Sequence, residues 1–237
     1  MKKIFISWDN DITESEADAI ICGVNQMSVI CRERKFVVYG ANSWSSGSYS
    51  SGQWYVDHAQ RTVTGQVDGD SLVDLLQSEP WQVTEPHIDV FFTSEDLTAR
   101  DRGRYLNYCF GLADVVAGIS VQSVARFRHL SVHERKLCIE RVFRHEIGHL
   151  LGMASSGRAN TEENLGSHCL NLGCTMRQGL NINQWLRHSL EENRYCSKFC
   201  PQCLTELHRN EAREKALASV VNVRYRLNRT RVSAIGV

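Results

Sequence analysis

The sequence carries no excess charge, because its 27 Lys and Arg residues are balanced by 27 Asp and Glu residues. A neutral chain has no overall field that would draw it to nucleic acid or to an anionic membrane surface. Long apolar runs are also absent: the segment MKKIFISWDN contains only IFI before polar residues return. This run is too short for the core of a signal peptide, and no later segment reaches the length of a membrane span. We therefore expect a cytoplasmic protein with neither a nucleic-acid partner nor a membrane partner.

Cysteine usage argues against a disulfide framework. The chain has nine cysteines, an odd number, and no export signal is expected, so a metal site in a reducing compartment is favoured. Five of them fall within 35 residues: Cys169, Cys174, Cys196, Cys200 and Cys203. The other four are interpreted as buried thiols: Cys22, Cys31, Cys109 and Cys138.

The order of predicted elements indicates an α/β fold. The 237 residues are enough for one large domain, or for a domain with a small appendage. Three strand-like runs (KKIFISW, KFVVYGA and HIDVFFTS) alternate with helical segments, of which the first begins near Thr13. The region 107–127 contains two further β-rich runs and would supply an antiparallel strand at a sheet edge. ANSWSSGSYSSGQWYVD is predicted to be a long loop.

One long amphipathic helix is predicted to begin near Ser131 and to end at Gly152. It contains the motif HExxH, formed by His145, Glu146 and His149. Residues four apart lie on one face of a helix, so the two histidines can bind a single metal ion. Glu146 projects beside them and can reach a metal-bound water without ligating the ion. The motif therefore predicts a catalytic zinc site.

A catalytic zinc needs a third protein ligand and one open position for water. Ser155 is a poor candidate because a neutral hydroxyl binds zinc weakly. The residues alone leave four stronger candidates: Glu162, Glu163, Glu191 and His168.

The clustered cysteines predict a second, structural zinc. Cys169 and Cys174, followed by the pair Cys200 and Cys203, supply four thiolates, and four thiolates suit a closed tetrahedral site. Cys196 is treated as a spare, although it could replace Cys200. Because Cys169 follows His168 directly, the two metal sites are expected to be neighbours.

The pattern over residues 145–203 resembles the archaemetzincins, a family of zinc peptidases. Their motif HExxHxxGxxHC, followed by four residues, CxM and a later CxxC, is matched by ten residues in the right order: His145, Glu146, His149, Gly152, His168, Cys169, Cys174, Met176, Cys200 and Cys203. The chain departs from it in having 15 residues between Gly152 and His168, where the family has two, and 23 between Met176 and Cys200. Loop-closure entropy costs only roughly 0.6 kcal/mol per doubling of length, so an excursion can still return His168 to the ion.

The resemblance implies a metzincin-like fold with a mixed, twisted sheet and two subdomains, residues 1–152 and 153–237. The second would be a small irregular unit held by the structural zinc. Met176 would be the methionine of the Met-turn that packs beneath the zinc ligands. Extended substrate would lie antiparallel to an edge strand from residues 109–127. The excursion MASSGRANTEENLGS is expected to bulge at the rim of the cleft.

Three hypotheses follow for the function. The first is a monomeric peptidase with two zinc ions per chain, a catalytic one on His145, His149 and His168 and a structural one on the cysteines. Glu146 would act in it as general base and acid on peptide or protein substrates. The second is a gluzincin-like hydrolase whose third ligand is a Glu. The third is a non-catalytic zinc-ribbon module that binds nucleic acid, favoured only by seven Lys and Arg against three Asp and Glu in 206–237.

Overall fold

The computed structural model describes residues 1–41, 51–61, 64–195 and 197–233. In chain order its strands are β1 (Ile4–Trp8), β2 (Phe36–Gly40), β3 (Val67–Asp68), β4 (Ile88–Thr93), β5 (Leu97–Thr98), β6 (Arg100–Asp101), β7 (Arg104–Tyr105), β8 (Gly111–Asp114), β9 (Ile119–Ser123), β10 (Thr161–Glu163) and β11 (Ser167–Cys169). Its helices are α1 (Glu14–Ile30), α2 (Gly52–Ala59), α3 (Gly69–Gln77), α4 (Pro80–Thr84), α5 (Val132–Leu150), α6 (Ile182–Asn193) and α7 (Pro201–Ser233), with a 3₁₀ helix at Ala125–His129. Within these ranges, no helix combines the length and the apolar character that crossing a membrane requires.

The main sheet has five strands in the order β2-β1-β4-β9-β8. The first four are parallel to one another, whereas β8 pairs antiparallel with β9. Parallel neighbours need a crossover, which α1 supplies between β1 and β2, while a short turn suffices between β8 and β9. In the described part of the chain, the outer edge of β8 pairs with no other strand. The structure thus confirms the predicted α/β fold with an antiparallel edge strand from residues 109–127.

Helices cover both faces of this sheet. Alternate residues of β4 point to opposite faces: Val90 and Phe92 join one apolar cluster, and Phe91 joins the other. The first cluster includes the apolar faces of α1 and α5, and the second includes those of α2 and α3. Strands buried on both faces explain why HIDVFFTS reads as a continuous apolar run.

The two long helices begin where the sequence indicates. Thr13 caps α1 in a capping box with Glu16, and Ser131 caps α5 in the same way with Glu134. The last helical residue of α5 is Leu150, and Gly152 follows with φ of 74°, a left-handed conformation that favours glycine. This turn directs the chain away from α5 directly after the second histidine of HExxH.

The predicted loop over residues 41–57 is wrong in its second half. Residues 42–50 lie outside the described part of the chain, but α2 begins at Gly52. Tyr55, Val56 and Ala59 lie on one face of α2 and are buried against the sheet, which stabilises a helix that the Ser- and Gly-rich composition obscured.

The C-terminal region shares the main core. Trp185 of α6, Phe199 and Leu207 of α7 belong to the same apolar cluster as Ile147 of α5. Arg34 near β2 also forms an ion pair with Glu214 of α7. The first apolar cluster joins the two halves of the chain, and the division into subdomains at residue 152 stays a prediction.

Candidate active site

Helix α5 and strand β11 bring three histidines together. One ring nitrogen each of His145, His149 and His168 lies within 4.8 Å of the other two. The Nε2 atoms of His145 and His149 are 3.2 Å apart. Tetrahedral zinc, with Zn–N distances of about 2.0–2.1 Å, separates its ligand nitrogens by about 3.3 Å, so this donor set fits the ion.

Backbone carbonyls orient two of the imidazoles. Nδ1 of His145 is 2.8 Å from the carbonyl oxygen of Thr175, and Nδ1 of His168 is 3.2 Å from that of Gly166. Donation from Nδ1–H to a carbonyl leaves Nε2 free to bind a metal and fixes the ring orientation. Thr175 is itself held by Lys198, whose carbonyl accepts from the Thr175 amide at 2.8 Å and from its hydroxyl at 2.7 Å.

Burial keeps the three imidazoles neutral. It lowers the pKa of His145 well below the ordinary value, and the neighbouring His149 and His168 lower it further. Burial, aided by His168, lowers the pKa of His149 to about 3, and burial also lowers that of His168. Neutral imidazole is the protonation state that binds a metal, so the ligands need lose no proton at neutral pH.

Glu146 lies beside this group and against the edge strand. It is only 6% exposed, and burial raises the pKa of its carboxyl to about 8. A methyl group at Gly111 of β8 would lie 2.5 Å from its Oε1 and 2.7 Å from its Cδ. Strand β8 therefore approaches the carboxylate at a distance that only glycine allows.

The three histidines and Glu146 open onto a cleft of about 480 Å³. One wall comes from the segment that ends in β8, including Tyr108, Gly111 and Leu112. Other walls come from the chain after α5, from the turn before β11 and from residues 178–180 after the cysteine-rich segment. Glu146 is thus reached from a groove that runs along the unpaired edge of β8.

Met176 packs against α5 at the level of the histidines. Its side chain is fully buried, and its sulfur lies too close to Gly148 for a β-carbon to fit there. Gly148 lies between His145 and His149 in the sequence, so the absence of a side chain there admits the methionine beneath them. The Met176 carbonyl also accepts a hydrogen bond of 2.9 Å from the amide of Cys169.

Four cysteines form a second group next to the histidines. The sulfurs of Cys169 and Cys200 are 3.7 Å apart, and those of Cys174 and Cys203 are 3.8 Å apart. These distances exclude disulfides, whose sulfurs are about 2.05 Å apart. A tetrahedral zinc with Zn–S distances of about 2.3 Å would separate its sulfurs by about 3.8 Å. The group fits a closed structural zinc site, and Cys196 lies outside the described residues.

Arg158 lies over the cysteine group. Its guanidinium nitrogens donate to the sulfur of Cys203 at 3.4 and 3.5 Å, and one of them forms an ion pair of 2.5 Å with Glu206 of α7. Glu206 also accepts from the amides of Ala154 and Ser155 at 2.9 and 3.2 Å. These bonds link the cysteine group to the turn that follows the active-site helix.

Arg141 holds the segment that carries Met176 in place. It is fully buried on α5, forms an ion pair of 2.6 Å with Glu192 of α6, and donates to the carbonyls of Cys174 and Arg177 at 3.3 and 2.6 Å. The turn between these two carbonyls contains both Thr175 and Met176, so one buried cation holds the backbone under the histidines.

Comparison with known proteins places the chain in a family. A family model described as peptidase family M54 matches residues 54–209, well over half of the chain and all of the histidine and cysteine motifs. The chain belongs to peptidase family M54. This M54 member is therefore a zinc metallopeptidase, as the HExxH motif and the archaemetzincin resemblance predict.

Solved structures show the same fold. The M54 chain is similar to an archaemetzincin from Methanopyrus kandleri, with 22% identity, a TM-score of 0.64, and coverage of 89% of this chain and 96% of the other. It is also similar to an archaemetzincin from Archaeoglobus fulgidus crystallised with malonate, with 19% identity, a TM-score of 0.54, and coverage of 86% and 99%. The comparison with curated proteins gives no match.

The excursion after Gly152 is partly ordered as a hairpin in this M54 peptidase. Strand β10 pairs antiparallel with β11, and Glu162 lies opposite His168 in the register. Both ends of the excursion, residues 153–156 and 165–167, line the cleft. The excursion therefore lies at the rim of the cleft and supports the strand that carries His168.

The other proposed third ligands lie elsewhere. Glu162 and Glu163 are exposed on β10, and Glu191 lies 3.5 Å from Nδ1 of His188. Ser155 binds Glu206 through both its hydroxyl and its amide. Among the described residues, no carboxylate joins the histidine group.

Several supporting residues of the M54 site have no local signal in the sequence. Gly111, Arg141 and Glu206 matter because of contacts over long sequence separations, which no spacing rule reveals. Asn210 belongs with them, since its side-chain amide donates to the carbonyls of Leu151 and Gly152 at 3.1 Å each and caps the end of α5.

Proposed function

We propose that this peptidase holds a catalytic zinc on His145, His149 and His168, with Glu146 as general base and then general acid. The convergence of three neutral imidazoles, two buried and one half-buried, beside a carboxylate on an open cleft is the observation that carries the proposal. Bound zinc would supply the Lewis acidity that acidifies a water molecule and polarises the substrate carbonyl.

Glu146 is suited to the proton transfers of peptide hydrolysis. Burial gives its carboxyl a raised pKa, and a nearby cation would lower that pKa towards neutrality. A carboxyl whose pKa lies near the working pH can accept a proton from the attacking water and then return it to the leaving amine. The close approach of β8 at Gly111 limits the space into which the carboxylate can move.

The edge of β8 is suited to bind the substrate backbone. An extended peptide can add to an unpaired edge through main-chain hydrogen bonds, and Gly111 would then bring a peptide bond close to Glu146. The proposed orientation is antiparallel to β8. Substrate is therefore proposed to be a peptide or an extended segment of a protein.

A second zinc is proposed on Cys169, Cys174, Cys200 and Cys203, giving two per chain. The sulfur separations support it, and the adjacency of Cys169 to His168 lets it hold the third ligand in place. Location in the cytoplasm, the monomeric state, and the lack of nucleic-acid and membrane partners stay predictions.

Peptide hydrolysis by matched variants tests the proposal. Wild type should cleave members of a peptide library, Glu146→Gln should lose activity with both zincs retained, and His168→Ala should lose the catalytic zinc and the activity together. Glu162→Gln and Glu163→Gln serve as controls on the neighbouring strand and should remain active. Full activity of His168→Ala with loss in either control would instead favour a Glu as third ligand.

A further inference from the structure

The tip of the β10–β11 hairpin holds an exposed leucine in an unfavourable backbone conformation. Leu165 has φ of 52° and is 46% exposed. The left-handed region costs little for glycine, but crowding at the β-carbon disfavours it for leucine. Gly166 comes next, and its carbonyl accepts from the amide of Asn164 at 2.9 Å. The fold thus places a large apolar side chain where glycine would be easier to accommodate.

This leucine lines the cleft that contains the proposed catalytic centre. Leu165 lines the same cleft as Glu146, and it precedes His168 by three residues in a short hairpin. Backbone strain of this kind persists where the surrounding structure enforces it, and it is concentrated at functional sites. Of the three non-glycine residues with positive φ in the described chain, Ala154 and Leu165 line the cleft and Arg102 does not.

Other segments add exposed apolar side chains to the same cleft. Leu180 is 47% exposed, and its carbonyl accepts from the Tyr108 hydroxyl at 3.3 Å across the groove. Val115, just after β8, is 58% exposed. Both residues line the cleft together with Leu165. Among the described residues that line the cleft, the charged ones besides Glu146 and the histidines are Arg100 and Asp101.

We propose that Leu165 is a specificity-determining residue that contacts an apolar side chain of the peptide substrate. The inference rests on the proposed peptidase function and adds the substrate class: peptides with a large apolar residue close to the scissile bond. The excursion that separates Gly152 from His168 then has a role in selection, since its tip forms part of the substrate site. Removal of the leucine side chain removes apolar contact without touching the zinc ligands.

Leu165→Gly tests this role, because it relieves the strain while it deletes the contact. The variant should have two zincs and a melting temperature equal to or above that of wild type. Its kcat/KM should fall about 10-fold or more for peptides with Leu, Phe or Met at the sensitive position, mainly through KM. Peptides with Gly or Ala at that position should be cleaved as by wild type.

Two controls isolate the contact. Arg102 has a similar left-handed conformation, with φ of 49°, but its hairpin turn lies outside the cleft lining. Arg102→Gly should relieve that backbone strain and leave the peptide preference unchanged. Leu172→Ser removes a leucine that is 66% exposed but outside that lining, and should also leave it unchanged.

Two results would overturn the inference. One is an unchanged peptide preference in Leu165→Gly, and the other is an equal loss for all peptides together with loss of zinc, which would make the residue purely structural. Failure of the proposed function gives a different pattern, in which wild type cleaves no peptide or Glu146→Gln stays fully active.

Discussion

Substitution of Gly111 by alanine is expected to damage catalysis from outside the zinc ligands. The added methyl group would lie 2.5 Å from Oε1 of Glu146, about 0.9 Å closer than the 3.4 Å at which ordinary contact begins. Either β8 or the carboxylate must move by most of that distance. Because β8 is hydrogen-bonded to β9 along its length, the side chain of Glu146 is expected to move more.

The expected loss follows from that displacement. A catalytic group misplaced by about 1 Å can cost roughly 100-fold in rate, which corresponds to about 2.7 kcal/mol in the activation free energy. We therefore expect kcat of Gly111→Ala to fall about 100-fold with both zincs retained. Overpacking should also lower the free energy of unfolding by about 1–3 kcal/mol.

Steady-state peptide hydrolysis, zinc content by atomic emission and urea unfolding together check this prediction. Ala113→Gly, two residues further along the same strand and on the same face, is the matched control and should keep kcat within a few-fold of wild type. A Gly111→Ala enzyme with wild-type kcat would refute the reasoning that β8 fixes the Glu146 carboxylate.

Three further predictions concern the support of the site and of the fold. Arg158→Ala should weaken zinc binding by the cysteine group about 10- to 100-fold, measured by chelator competition. An unchanged rate of zinc release would contradict the proposal that the guanidinium of Arg158 supports this site. Arg141→Ala should lower the free energy of unfolding by about 1–3 kcal/mol in urea, because the carbonyl of Arg177 loses its donor while Glu192 keeps its ion pair with Arg144, and an unchanged stability would count against it. Nε2 of buried His87 lies 3.1 Å from Oδ1 of Asp89. Burial lowers the pKa of His87, but the hydrogen bond to Asp89 and its negative charge outweigh burial, and the net pKa is raised above 6.5. The stabilisation by this pair is therefore complete below pH 6.5 and lost as pH rises through the folded pKa, so the excess stability of wild type over His87→Gln in urea unfolding should shrink as pH rises above 6.5.

The sequence predicts the elements that have a strong period or a clear cap. The buried run HIDVFFTS, the capping boxes at Thr13 and Ser131, and the glycine after α5 each mark their element locally. Helix α2 was missed because its signal is one short buried face within a Ser- and Gly-rich stretch. The sequence does not predict the β10–β11 pairing, because each strand has only three residues, too few to show an apolar alternation, and β10 is largely exposed.

In the candidate site, too, local patterns predict some residues and not others. Ligand types and helical spacing point to His145 and His149, and the order of motif residues points to His168 and the cysteines. The supports depend on contacts between distant parts of the chain: Gly111 lies 35 residues from Glu146, and Arg158 lies 48 from Glu206. Such contacts are set by the packing of β8, α5 and α7, which no local pattern encodes.

Anomalous X-ray diffraction at the zinc edge tests the central claim most directly. The account predicts two peaks per chain, one bonded to ring nitrogens of His145, His149 and His168 and the other to the four sulfurs of the cysteine group. A single peak, or a catalytic peak bonded to His145, His149 and a carboxylate with His168 turned away, would contradict it.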